Sequence, residues 1–125
     1  MPPFKILCVE DHKSSLLVLE RMLMSRAVTV LQATNAEEGL VIAREQKPDL
    51  ILMDLMLPGM DGLTATRQLK ADPEMNHIPI IAISAAERPS PQDCLDAGCV
   101  DHIAKPVTMA KLTQALNPYF KVPNK

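Results

Sequence analysis

The sequence predicts an α/β domain, a doubly wound parallel sheet with helices on both faces. Three observations carry this. Five short β-like runs, Phe4 to Val9, Val28 to Ala33, Leu50 to Met53, Pro79 to Ile83 and Val100 to Ala104, are largely apolar, and Leu50 to Met53 and Pro79 to Ile83 are apolar at successive positions, as strands covered on both faces are. The segments between them have helical rather than alternating periods. Capping residues, Pro and Gly fall at the junctions, so strand and helix alternate along the whole chain.

Phe4 to Val9 closes on the acidic pair Glu10-Asp11. From Lys13 to Arg26 the apolar positions Val18, Leu19, Met22 and Leu23 form a helical stripe, with Leu16 and Leu17 beside it either as ordinary core or scattered surface leucines or as surplus apolar surface for a partner helix. After the second strand, Asn35-x-x-Glu38 is a capping signature for a helix to Lys47 that buries Leu40, Val41 and Ala43 or nearby positions. Leu50 to Met53 then drives into Asp54, and Pro58-Gly59 turns the chain toward a third helix over Leu63 to Ala71. Ser90-Pro91 supplies an N-cap and an N1 proline for the fourth helix, which Gly98 ends. Thr108 caps the fifth, with Met109, Leu112 and Leu116 as its stripe and Pro118 as its stop.

At 125 residues the chain is expected to form a single domain over 1–125, with 119–125 as a loose C-terminal tail. With 47% apolar residues but only 2% aromatics, the core must be built from aliphatic side chains and Met. That leaves little for stacking on nucleobases. A net charge of −2 gives no basic footprint, so no nucleic acid is expected as a partner. No apolar run reaches membrane-spanning length and no secretory leader pattern stands at the N-terminus, which predicts a soluble protein without membrane contact. Cys8, Cys94 and Cys99 are odd in number and lack metal-ligand spacing, which fits idle thiols in a reducing cytoplasm. His12 is read as a helix-start residue and His77 is given no ligand role.

Right-handed crossovers bring the carboxyl ends of parallel strands to one edge, where open α/β sheets bind ligands. That edge collects Glu10, Asp11, Asp54, Ser84 and Lys105. Converging carboxylates repel one another, and a hard divalent cation such as Mg²⁺ relieves the repulsion. With a phosphoryl donor, Asp54 is placed to act as nucleophile while Ser84 and Lys105 bind the transferred oxygens. The bland alternative is that each acid is only a strand end or a helix cap.

These residues carry a family resemblance. Glu10-Asp11, Asp54 followed by Leu57-Pro58-Gly59-Met60-Asp61-Gly62, Ser84-Ala85 and Lys105-Pro106 resemble the receiver domain of two-component response regulators over nearly the whole chain. The resemblance implies a flavodoxin-like (βα)5 fold with strand order 2-1-3-4-5. It implies Asp54 as phosphoacceptor, with Ser84 and Lys105 binding the phosphoryl group. It further implies Mg²⁺ (or Mn²⁺) on Asp11, Asp54 and the backbone carbonyl of Met56, with Glu10 reaching the metal through water, and a cis bond before Pro106. Met56 and Ala86 take positions that tune the lifetime of the acyl phosphate. His102 stands where an aromatic switch residue is usual and is read either as a surface imidazole or as a switch. Glu10 also departs from the more common Asp.

The expectation is therefore a cytoplasmic phosphorelay switch, phosphorylated by a histidine kinase or a histidine phosphotransfer protein. It would signal to an unidentified downstream protein as a monomer or a phosphorylation-dependent dimer. It would be no enzyme beyond its own phosphorylation and dephosphorylation. The alternatives are a receiver cut from a hybrid kinase or larger regulator, and a phosphorylation-independent adaptor. An aspartyl-phosphate phosphatase is disfavoured because Met56 stands where a second Asp would serve as acid/base. A flavin-binding domain is disfavoured because no Ser/Thr/Gly-rich phosphate loop follows the first strand.

Overall fold

Side chains of successive strand residues point to opposite faces, so a strand that is apolar throughout needs a core on each side. The computed structural model, which describes residues 4–24, 28–84 and 90–119, supplies both. Its elements are β1 (Phe4–Val9), α1 (Lys13–Met24), β2 (Val28–Ala33), α2 (Ala36–Gln46), β3 (Leu50–Asp54), α3 (Gly62–Ala71), β4 (Ile80–Ser84), α4 (Pro91–Ala97), β5 (Asp101–Ala104) and α5 (Met109–Leu116). All strands are parallel, in the order β2-β1-β3-β4-β5. Leu7, Val9, Ile51, Met53, Ile80 and Ala82 pack with α2, α3 and α4 on one face. Ile6, Cys8, Leu50, Leu52, Ile81 and Ile83 pack with α1 and α5 on the other.

Asn35, Ser90 and Thr108 cap their helices as the sequence predicts, and Asp61 caps α3, which the sequence does not predict. Asn35, Asp61, Ser90 and Thr108 each accept a backbone N–H from three residues on. Ser90 and Asp93 form a reciprocal capping box, and Gly98 closes α4 in the left-handed region at φ 116°. At Asn35 the box is displaced by one residue, because the Glu38 carboxylate accepts from the Thr34 backbone N–H at 2.7 Å.

Three helical faces differ from the predicted stripes. On α1 the buried residues are Leu16, Leu19 and Leu23, whereas Val18 is half exposed and Met22 only partly buried. Leu16, at 4% exposure, belongs to the core and cannot offer surplus surface to a partner, while Leu17 stays exposed. The helix is rotated so that the i, i+3, i+7 row beginning at Leu16 meets the sheet, a phase that adjacent leucines leave open. On α2, Leu40 and Ala43 are buried with Ala36 and Gly39, but Val41 faces outward. On α5, Ala115 joins Leu112 and Leu116 in the core while Met109 is exposed. Of the expected tail only Tyr119 is described, at the end of a turn in which its N–H bonds the Leu116 carbonyl; 120–125 lie outside the described residues. Among the described residues no helix is long and apolar enough to cross a membrane.

Candidate active site at the carboxyl edge

β3 is buried along its entire length, and the strand includes Asp54 itself, which is 2% exposed. The ladder continues one residue further, Leu55 N–H donating to the Ile83 carbonyl, so the backbone on both sides of Asp54 is fixed. Its Oδ1 accepts the Met56 backbone N–H at 2.9 Å. Gly62 opens α3 directly against this turn: a Cβ there would lie 2.5 Å from the Asp54 carbonyl oxygen and 2.8 Å from Leu55 Cα. Only glycine lets α3 start this close to the end of β3.

β1 delivers the acidic pair. Glu10 is as buried as Asp54, and its backbone N–H bonds the Ala33 carbonyl at the end of β2. Burial first, and then the neighbouring Asp54 carboxylate, push the Glu10 pKa above the usual range. His12 does start α1, its carbonyl accepting from Leu16 N–H, but it also does more. Its backbone N–H and Nδ1 meet Glu10 Oε2 at 3.1 and 3.2 Å, and Nδ1 stands 3.3 Å from Asp11 Oδ1. The ligand atoms of Glu10, Asp11 and His12 all fall within 4.8 Å of one another. Sequence reasoning missed this second role; the signal was an imidazole directly following two acids.

Lys105 follows β5 and reaches back across the site. Its Nζ donates to Asp54 Oδ2 at 3.1 Å and to Glu10 Oε1 at 3.5 Å. Partial burial alone would lower its pKa, but the pairing with Asp54 and Glu10 outweighs this and holds it raised. The Lys105 backbone N–H bonds the carbonyl of Ser84, which is fully buried at the end of β4, and the Lys105-Pro106 peptide is cis as expected. Beside Lys105 lies a largely apolar cleft of about 580 Å³, lined among others by Ser14, Val18, Leu19, Pro106 and Val107.

The structure thus joins Glu10, Asp54 and Lys105 in one ionic group and Glu10, Asp11 and His12 in a second, with Glu10 common to both. Asp11 Oδ1 is a buried atom with no hydrogen-bond partner among the described residues, as an oxygen donor kept for a hard cation would be. Met56 turns its side chain outward at 60% exposure. His102 lies on β5 opposite Ala82, two residues before the Ser84 partner Ala104, and its Nε2 is buried without a hydrogen-bond partner among the described residues. Ala86 lies outside the described residues. The cysteines are free and buried; burial pushes Cys8 up to about 12 and Cys99 to about 11, so neither is a thiolate at neutral pH.

Known proteins match this chain in sequence and fold. The family model of the response regulator receiver domain matches residues 6–117. The polar-differentiation response regulator DivK of Brucella anthropi is 33% identical over 118 residues, 94% of this chain and 96% of DivK. Protein PilH of Pseudomonas aeruginosa is 35% identical over 114 residues, 90% of this chain and 94% of PilH. Among solved structures, the receiver domain of a sensor histidine kinase from Pseudomonas aeruginosa PAO1, with a magnesium ion coordinated in its active-site cleft, superposes with a TM-score of 0.85 at 35% identity. That match covers 94% of this chain and 98% of the other.

Proposed function

We propose, from the premise that this chain belongs to the response regulator receiver-domain family, that it is a phosphoacceptor switch in which Asp54 takes a phosphoryl group from a phosphohistidine. The phosphorus–nitrogen bond of the donor breaks as a bond to an Asp54 oxygen forms, and the departing imidazole nitrogen keeps the electron pair and takes up a proton from solvent. The observation that carries this reading is the meeting of Asp54, Glu10 and Lys105 in one group at the carboxyl edge of a parallel sheet.

Each residue has a task that follows from its setting. Asp54 is held by the β3 ladder and by Met56 N–H, so its carboxylate is presented in a fixed orientation. Lys105, already within 3.1 Å of Asp54, stabilises negative charge on the incoming oxygens and pairs with them afterwards. Ser84, at the end of the neighbouring strand, offers a hydroxyl to the same group. Asp11, Asp54 and the Met56 carbonyl would hold Mg²⁺, with Glu10 acting through water; bound there, the ion supplies charge neutralisation for the phosphoryl oxygens.

The chain then acts by shifting between two conformations with different affinity for a downstream protein, and catalyses nothing beyond its own phosphorylation and dephosphorylation. The phosphodonor is a histidine kinase or a phosphotransfer protein in the cytoplasm. Leu17 and Val18, exposed on α1, with Val18 lining the cleft, are the contact surface offered to it. Intact-mass spectrometry after incubation with acetyl phosphate and Mg²⁺ tests the reading. Wild type should gain one phosphoryl group and Asp54→Ala none; an unmodified wild type, or equal modification of both, rejects Asp54 as acceptor.

A further inference from the structure

A lysine in the first turn of a helix is electrostatically misplaced. The backbone N–H groups there carry partial positive charge, and the third helical position favours Glu, whose carboxylate completes a capping box. Lys111 occupies that position of α5: Thr108 is the N-cap, its hydroxyl accepts the Lys111 backbone N–H at 3.2 Å, and the first turn contains no acidic residue. The Lys111 side chain does not run out into solvent. It folds back over the β5–α5 connection and donates from Nζ to the Ala104 carbonyl at 3.1 Å and to the Pro106 carbonyl at 3.3 Å.

These two carbonyls flank Lys105, one residue to either side. Among the described residues the backbone of Lys105 is otherwise tied on its β4 side, by its N–H to the Ser84 carbonyl at 2.8 Å. Lys105 Nζ must span from this connection to Asp54, 51 residues away in sequence. An error in the backbone at Lys105 is carried along a flexible four-carbon stem into the group that meets the phosphoryl oxygens.

We propose that Lys111 is a positioning residue for phosphoryl transfer, clamping the Ala104–Pro106 backbone so that Lys105 stays aligned with Asp54. The proposal rests on the phosphoacceptor reading above. Lys111 touches neither Asp54 nor the metal ligands and acts only through Lys105.

Three substitutions separate the clamp from a role in helix stability. Lys111→Arg keeps a cationic donor. Lys111→Met keeps the apolar stem and removes the donors. Lys111→Glu removes the donors but restores the capping box and suits the helix dipole, so a purely helical role predicts a variant at least as good as wild type. The clamp instead predicts that Lys111→Met and Lys111→Glu slow acetyl phosphate-driven phosphorylation by about fivefold to tenfold, with Lys111→Arg within about twofold of wild type. Mg²⁺ affinity measured by calorimetry should stay unchanged in all three, because Asp11, Asp54 and the Met56 carbonyl are untouched. Native-state hydrogen exchange reads the clamp independently of phosphorylation: the Lys105 amide should exchange faster in Lys111→Met and Lys111→Glu. Normal phosphorylation rates in these two variants overturn the positioning role, as does unchanged Lys105 exchange. A wild type that gains no phosphate overturns the phosphoacceptor reading instead, and the exchange data still decide whether the clamp exists.

Discussion

β3 and β5 end on the two opposite charges of the site, and they hold them by different means. β3 lies at the centre of the sheet, every residue is buried, and Asp54 inherits its position from strands on both sides. β5 is one of the two edge strands, with only Ile103 of its residues buried. Lys105 therefore inherits little from packing and depends on its backbone hydrogen bond to the Ser84 carbonyl and on its ion pairs with Asp54 and Glu10. The contrast teaches that the two charges are placed by different means: Asp54 is fixed by the strands on either side, while Lys105, just past a strand with little burial, is placed by hydrogen bonds and ion pairs.

Removing the counter-charge tests this contrast most severely. Lys105→Met leaves Asp54 and Glu10, each 2% exposed, facing one another without a cation. Phosphorylation should slow by about 100-fold, the scale of losing a preorganised charge at the reacting oxygens. Without Mg²⁺ the variant should also lose about 2 kcal/mol of stability at neutral pH, less than a fully buried pair would cost because the ammonium keeps some solvent contact. The sign is checked at alkaline pH. Because the folded pKa of Lys105 is raised, its contribution is complete below the ordinary 10.5 and is lost as pH rises through the folded value. The stability gap between wild type and Lys105→Met, measured by urea denaturation, should therefore narrow at high pH. A constant gap would mean that Lys105 acts through packing of its stem.

The fold and most of the site were legible in the sequence because the central strands β3 and β4 are apolar runs, the outer ones are largely apolar, and each site residue stands at or directly after a strand end. Asp54, Glu10, Ser84 and Lys105 needed only the topology of a parallel sheet to be brought together. What stayed hidden depends on contacts between elements or on helix phase. Leu16 and Leu17 are chemically identical neighbours, and only the rotation of α1 against the sheet decides that one is core and the other surface. The pairing of His12 with Glu10, and of Lys111 with two loop carbonyls, involves side chains that fold back on their own connections, which no hydrophobic period encodes.

Glu10 offers a finer test, because it shares the burial of Asp54 while sitting on β1. Its folded pKa is raised above the ordinary 4.5, so the stability linked to its neutral form is complete below 4.5 and is lost as pH rises through the folded value. Glu10→Gln should remove that decline. In the absence of divalent cations it should be more stable than wild type at pH 7 and closer to it at pH 4, by urea denaturation at both values. If the variant is instead less stable at pH 7, the Lys105 and His12 contacts outweigh the cost of burying the charge.

The smallest effect concerns the residue just past the rigid strand. Met56 lends its backbone N–H to Asp54 Oδ1, but its side chain projects into solvent at 60% exposure and has no group to orient an attacking water. The acyl phosphate on Asp54 should accordingly be long-lived. Met56→Asn keeps the backbone donor and adds an amide at the mouth of the site, where it can hydrogen-bond a water aimed at phosphorus. Dephosphorylation, followed by intact mass after removal of acetyl phosphate, should accelerate by about threefold to tenfold. Thermal stability should move by less than about 0.5 kcal/mol, as for other exposed positions. If the variant and wild type decay alike, the lifetime is set by the residues around Lys105, and the control of the switch lies with the edge strand rather than with the central one.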